Sequence, residues 1–104
     1  MLKNMAVSLP VRATGSQAAV NVTDASTTII AANPTRNYLL IQNNSDTDIW
    51  INLTGGTAST SNSSSFKVAS AGGSLELRSW VTVSAVTGIH TSSGNTKVLT
   101  VLEG

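Results

Sequence analysis

The side chains that could perform chemistry are few, and the single histidine is the first to consider. His90 stands between Ile89 and Thr91, and the chain contains no cysteine. A zinc site needs several converging His, Cys or carboxylate ligands. One histidine without such partners does not predict a metal site, and we interpret His90 as a surface or interface residue near a strand end.

A serine–lysine spacing gives the nearest match to a nucleophile motif. The segment Ser64-Ser65-Phe66-Lys67 fits S-x-x-K. In enzymes of that class the serine opens a helix, which brings the lysine one turn later to its oxygen. Here the segment joins a serine-rich loop to a predicted strand, where positions i and i+3 face opposite sides. The spacing therefore does not predict a catalytic serine.

Two other patterns could bind ions, and both are incomplete. Asp46 and Asp48 lie two residues apart at a turn, but the other ligands and the closing glutamate of a calcium loop are missing. Gly55-Gly56 and Gly72-Gly73 lack the lysine and the following helix of a phosphate-binding loop. No set of nucleophile, base and carboxylate can be assembled. We expect no enzymatic activity, no metal and no cofactor.

The composition predicts one domain with an unusually uncharged polar surface. The chain has 104 residues, of which Leu, Ile, Val and Phe supply 26, enough for one packed core. Ser, Thr and Asn supply 38 residues, against 11 charged ones. Because unpaired charge is costly to bury, such a surface tolerates being covered by a partner. A secreted or β-rich module, whose Ser and Thr suit turns and strands, would share this composition.

The charges and the apolar runs exclude several partners. The six basic residues are dispersed and form no positive stripe, which argues against nucleic-acid binding; they are Lys3, Arg12, Arg36, Lys67, Arg78 and Lys97. No apolar run approaches the ~20 residues of a membrane-spanning helix. The first ten residues lack the continuous apolar region of a signal peptide. We expect a chain made in the cytoplasm and not secreted, with its four Asn-x-Ser/Thr sequons at Asn21, Asn43, Asn52 and Asn62 arising by chance.

Alternation of β-branched and polar residues between turn clusters predicts an all-β domain of about eight short antiparallel strands. No window has the spacing of an amphipathic helix. The predicted strands are 19–23, 27–31, 38–43, 47–53, 66–69, 73–78, 80–85, 87–91 and 96–102. Strands 38–43 and 47–53 are predicted to form a hairpin through Asn43-Asn44-Ser45-Asp46, and the whole to form a β-sandwich or jelly roll.

Two segments fall outside this pattern. The sequence from Thr54 to Ser65 is of low complexity, with Ala58 as its only apolar residue, and predicts a mobile surface loop. Residues 1–18 predict an extended N-terminal arm ahead of a β-domain spanning 19–104. Its apolar residues alternate and favour addition as a strand to a neighbour, although the segment could also be the domain's own first strand; they are Met5, Val7, Leu9, Val11 and Ala13.

Candidate interface residues come from apolar side chains beyond the needs of one core. Trp50 and Trp80 have the parity opposite to the aliphatic residues of their predicted strands, and exposed tryptophan is enriched at interfaces. In the last strand, Leu99 and Val101 face one way and Val98 and Leu102 the other. The predicted interface set is Met5, Val7, Leu9, Val11, Trp50, Trp80, Leu99 and Val101. The alternative is that a loop or the arm covers the tryptophan rings.

Several strand and turn phrases between Ala32 and Gly104 resemble small β-rich virion proteins of tailed bacteriophages, including capsid decoration (cement) proteins. They are Asn33-Pro34-Thr35-Arg36-Asn37-Tyr38-Leu39-Leu40-Ile41-Gln42-Asn43, Ile49-Trp50-Ile51-Asn52-Leu53, Ala71-Gly72-Gly73-Ser74-Leu75-Glu76 and Val98-Leu99-Thr100-Val101-Leu102-Glu103-Gly104. The resemblance implies a jelly-roll-like domain that forms homo-oligomers, a dimer or trimer, and clamps the seams between major capsid proteins on the virion surface. It brings no catalytic residues.

The sequence leaves a second function open. A tail or fibre module that reads host saccharides would use Trp50, Trp80 and Tyr38 as stacking platforms and its Ser, Thr and Asn side chains for hydroxyl groups.

Overall fold

The computed structural model describes residues 15–61 and 64–104, which form eight strands and no helix. Within these ranges there is accordingly no helix that could cross a membrane. The strands are β1 (Ser16–Val22), β2 (Thr27–Ile30), β3 (Leu39–Asn43), β4 (Ile49–Asn52), β5 (Phe66–Val68), β6 (Gly73–Leu77), β7 (Val86–His90) and β8 (Lys97–Glu103). The all-β prediction is confirmed.

The strands form two four-stranded antiparallel sheets. The first sheet has the order β1-β8-β3-β6 and the second the order β2-β7-β4-β5. One buried cluster draws side chains from both sheets, because each strand directs alternate residues to the same side. Leu39, Ile41 and Leu99 of the first sheet and Ile49 and Ile51 of the second are fully buried.

The predicted hairpin between residues 38–43 and 47–53 is wrong. Strand β3 lies in the first sheet and β4 in the second, so the segment between them carries the chain from one sheet to the other. The buried side chain of Asn43 stabilises this crossing through hydrogen bonds. Its amide nitrogen donates to the carbonyls of Thr47 (2.8 Å) and Val68 (2.9 Å), and its Oδ1 accepts from the Ser45 amide (3.0 Å) and hydroxyl (2.7 Å).

The same turn chemistry explains why Asn-x-Ser/Thr recurs in this chain. Asn52 Oδ1 accepts from the amide and hydroxyl of Thr54, and Asn33 Oδ1 accepts from those of Thr35. An asparagine that accepts from the residue two positions later closes a turn, and a hydroxyl there adds a second donor. Two of the sequons that we attributed to chance, at Asn43 and Asn52, therefore contain buried asparagines whose side chains stabilise turns.

The predicted strand 80–85 is also wrong, because other partners use its backbone carbonyls. Arg36 donates to the carbonyls of Thr82 and Ser84, and the Asn33 amide donates to the carbonyl of Val83. Val83 is exposed, whereas Val81 packs against the core. The segment therefore runs as an irregular connection between β6 and β7.

Strand β1 begins at Ser16, three residues before the predicted domain boundary. Its pairs with β8 run from Ser16↔Glu103 to Val22↔Lys97. Residues 16–18, which the sequence assigned to the arm, thus belong to the first sheet. Residues 1–14 of the arm, including Met5, Val7, Leu9 and Val11, lie outside the described residues.

Gly73, at the start of β6, occupies a position with no room for a side chain. A Cβ at Gly73 would lie 2.4 Å from the Ala69 carbonyl oxygen and 2.7 Å from the Ala69 nitrogen. Both atoms are backbone atoms of the tight turn that joins β5 to β6. No L side chain fits there without moving the turn, so Gly73 allows β5 and β6 to follow each other closely.

Candidate protein-binding groove

Phe66 on strand β5 is oriented toward the core but remains largely exposed to solvent. Phe66 has the same parity as Val68 and pairs with Ile51, and both of these residues are buried. The Phe66 side chain is nevertheless 61% exposed. Since β5 is the edge strand of the second sheet, the space between the sheets opens at this position.

Strand β6, the edge strand of the first sheet, shows the same incomplete cover. Leu75 and Leu77 pair with Ile41 and Leu39, which are fully buried, yet both remain half-buried. Trp80 follows β6 and is 62% exposed. Together these side chains border a groove of about 310 Å³, lined by Asn52, Leu53, Thr54, Ser64, Phe66, Leu75, Leu77 and Trp80. We call it the edge groove.

The polar groups of the edge groove are largely used within the chain. Asn52 Nδ2 donates to the Ser64 carbonyl (3.1 Å), and its Oδ1 accepts from the amides of Thr54 (2.9 Å) and Gly56 (3.0 Å). The Thr54 hydroxyl also donates to this oxygen. The edge groove therefore offers aromatic and aliphatic surface and few free hydrogen-bonding groups.

The other edge of the two sheets is covered only in part: Val22 at the end of β1 is buried, whereas Val20 is half-buried and Ala18 is exposed. Strands β1 and β2 contact each other there. Val22, Ile29 and Ile30 are all buried at this side. The β5–β6 edge differs in that large aromatic side chains, Phe66 and Trp80, are exposed there.

The predicted interface residues lie in different parts of the structure. Leu99 and Val101 are 0% and 4% exposed and belong to the core, so their prediction as surface contacts is wrong. Val98, with its opposite parity, is exposed instead. Trp80 lies at the edge groove, whereas Trp50 is half-buried on the outer face of the second sheet, with Lys67 Nζ 5.7 Å from its ring centroid.

The aromatic residues proposed for saccharide stacking do not share a surface. Tyr38 donates through its hydroxyl to Glu76 Oε2 (2.6 Å) beside the first sheet. Trp50 lies on the second sheet between Lys67 and Ile89. The edge groove contains Trp80 but neither of the other two rings.

The only histidine lies at the end of β7, as predicted, but in the core and not on the surface. His90 is 1% exposed. Its Nδ1 accepts from the Ser92 amide (3.0 Å), and its buried Nε2 has no partner among the described residues. In the described ranges, no three His, Asp or Glu residues lie close enough together to hold a metal ion.

Sequence reasoning missed a buried charged cluster at Arg36, which it counted among the dispersed basic residues. The Arg36 side chain is fully buried, and its Nε donates to Glu103 Oε2 at 2.6 Å. Its Nη1 donates to the carbonyls of Thr82 (2.6 Å) and Ser84 (3.1 Å), and Nη2 to that of Ala31 (2.7 Å). One side chain thereby connects β8, the end of β2 and the irregular segment before β7. No sequence motif marks it.

The Arg36 cluster predicts a loss of stability in acid. Partial burial raises the pKa of Glu103, but hydrogen bonds from Arg36 and Asn33 and the charge of Arg36 outweigh it, so the pKa lies below the usual range. A carboxylate with a lowered folded-state pKa stabilises the fold above its unfolded-state pKa, and this contribution is lost as pH falls through the folded-state value. The stability difference between the natural chain and Glu103→Gln should therefore shrink from pH 7 to pH 3 in urea titrations. A constant difference would contradict it.

No family model, curated protein or solved structure matches the chain.

Proposed function

We propose that this chain is a non-catalytic structural protein of a tailed-phage virion that binds the outer surface of the capsid and stabilises it. The proposal combines the resemblance of residues 32–104 to decoration proteins with one structural observation. That observation is the edge groove, where a core-facing side chain of β5 is exposed and two of β6 are half-buried. Aromatic side chains such as Phe66 and Trp80 are enriched at protein interfaces.

In this proposal the two sheets act as a β-sandwich of jelly-roll type that forms homo-oligomers, with the N-terminal arm reaching beyond the domain. A decoration protein binds many symmetry-related copies of a capsid protein, so modest contacts add up through avidity. The low surface charge favours this, since few charged groups must lose water when the surface is covered. The outward-facing Trp50 and Val98 offer additional contact surface.

The saccharide-binding alternative has less support. A sugar site needs free hydrogen-bonding groups beside an aromatic ring, but the Asn52 side chain at the edge groove already bonds to backbone groups of Ser64, Thr54 and Gly56. Tyr38, Trp50 and Trp80 also lie on different surfaces. An apolar protein segment fits the edge groove better than a hydroxyl-rich ligand does.

Co-sedimentation with capsids tests the proposal. We expect the full chain to sediment with capsids of the phage that encodes it, and a variant lacking residues 2–14 to bind more than about tenfold more weakly because avidity is lost. The deletion stops before β1, so the domain should keep its cooperative unfolding. Absence of binding by the full chain would overturn the proposal, and binding to a glycan array instead would favour the tail or fibre function.

A further inference from the structure

We propose that the edge groove is the acceptor site for residues 5–11 of a second copy of this chain, added as a strand beside β6. This inference deepens the proposed function, on which its role in assembling oligomers on a capsid rests. It assigns both the donor segment and the acceptor surface of the homo-oligomer.

The backbone of the acceptor is available on one side. Strand β6 pairs with β3, and β5 pairs with β4, but neither has a second strand partner in the described part of the chain. An edge strand with free amide and carbonyl groups is the surface to which an extended segment adds. The five residues of β6 offer about 17 Å of such edge.

The side chains of acceptor and donor have the same period. Leu75 and Leu77 face the edge groove two residues apart, with the polar residues Ser74 and Glu76 on the other face. In the donor, apolar side chains recur every second position, at Met5, Val7, Leu9 and Val11. A strand spanning residues 5–11 is about 20 Å long and would place these four side chains along the groove.

Pro10 is consistent with only one arrangement of this strand. In a strand, residues of one parity direct their amide and carbonyl groups to one side, and residues of the other parity to the opposite side. If the odd-numbered residues bond to β6, the position of Pro10, which has no N–H, faces away from the sheet. Proline is tolerated at such an outer edge.

The reciprocal bonds between Tyr38 and Gly104 direct the even-numbered residues of β3 to β8, so β6 bonds to β3 through its odd-numbered residues and presents free groups at Ser74 and Glu76. The odd-numbered donor side chains then share the groove face of Leu75 and Leu77 when the added strand runs parallel to β6.

The reach of the chain favours a second copy as the donor. Ser16, Glu103, Leu39 and Leu77 occupy one row across the first sheet, so three strand spacings of ~4.8 Å place Ser16 about 14 Å from Leu77. The five residue steps from Ser16 back to Val11 span at most about 17 Å. A strand added beside β6 lies a fourth spacing away, about 19 Å from Ser16, which exceeds this reach. Exchange of the arm between copies has no such limit and closes a dimer or a ring.

Disulfide trapping tests the contact directly, because the chain has no cysteine of its own. Leu9→Cys on one copy and Phe66→Cys on a second, mass-tagged copy are mixed and oxidised without capsids. We expect the hetero-disulfide to form about tenfold faster than with Ser8→Cys, whose side chain faces the other way, because binding raises the effective concentration of the thiols. Equal rates for the two arm positions would overturn the inference.

A doubly substituted chain separates exchange from folding back. Leu9→Cys/Phe66→Cys, oxidised alone, should give covalent dimers or rings. Closure within single chains would show that the arm serves its own groove and would overturn the assignment to a second copy. Light scattering gives an independent readout: Leu9→Asp should reduce the full chain to a monomer, and Ser8→Asp should not.

These solution experiments are separate from capsid sedimentation. A chain that binds capsids but shows no preference for Leu9→Cys would overturn the arm–groove contact and leave the proposed function standing. A chain that crosslinks as expected but does not bind capsids would overturn the proposed function and leave the arm–groove contact standing.

Discussion

Replacing Arg36 by methionine is expected to lower the free energy of unfolding by about 3–5 kcal/mol, because it removes the charged partner of the partly buried Glu103 carboxylate and the donor to three carbonyls. Domains of this size are stable by roughly 5–15 kcal/mol, so the variant should unfold at far lower urea concentration. Arg36→Lys should recover only part of the loss, since an ammonium group cannot reproduce the planar fork that reaches four acceptors.

Controls for Arg36→Met distinguish the buried cluster from a general effect of charge. Arg78, whose side chain is 75% exposed, faces Glu76 at 3.9 Å, and Arg78→Met should change stability by less than about 0.5 kcal/mol. The double variant Arg36→Met/Glu103→Gln should be less destabilised than the sum of the two single variants, because the orphaned carboxylate is removed. Strict additivity would contradict the direct contact.

Replacing Asn43 by alanine is expected to cost about 3 kcal/mol or more, since the carbonyls of Thr47 and Val68 both lose a buried donor. Asn43→Asp should cost at least as much, because it places a carboxylate against two carbonyl oxygens at a position that is 0% exposed. Equilibrium unfolding in urea measures both values.

The neighbouring residue provides the matched control for Asn43. Asn44 is exposed and makes only a 3.4 Å contact with Gln42, so Asn44→Asp should stay within about 0.5 kcal/mol of the natural chain. Equal effects at the two positions would show that the crossing between the sheets does not depend on the buried amide.

Strand positions followed closely from local sequence. Seven of the predicted segments overlap β2 to β8, and the first overlaps β1, because alternation of β-branched and polar residues is typical of a half-buried strand. The exception is 80–85, where Val81, Val83 and Ala85 alternate but the backbone carbonyls bond to Arg36 and Asn33. A side-chain donor that is distant in sequence can therefore prevent a strand that the local pattern predicts. The local sequence gives no sign of such a donor.

Strand pairing was harder to predict than strand position. The turn residues at Asn43-Asn44-Ser45-Asp46 were identified, but turn chemistry alone does not distinguish a hairpin from a crossing between sheets. The distinction comes from the Asn43 amide, which bonds to Val68, 25 residues later. The same limit applies to the last strand, where parity separated Leu99 and Val101 from Val98 but could not say which side faced the core.

The sequence by itself determined the all-β class, the weakly charged surface and the lack of a recognisable catalytic motif, because these depend on composition and on periods of two residues. Only the tertiary structure decided that Arg36, Asn43 and His90 are buried, that β5 and β6 end their sheets side by side, and that Phe66 and Trp80 border one open edge. These features depend on contacts between residues distant in sequence, and the edge groove, from which we infer the function, exists only when both sheets are in place.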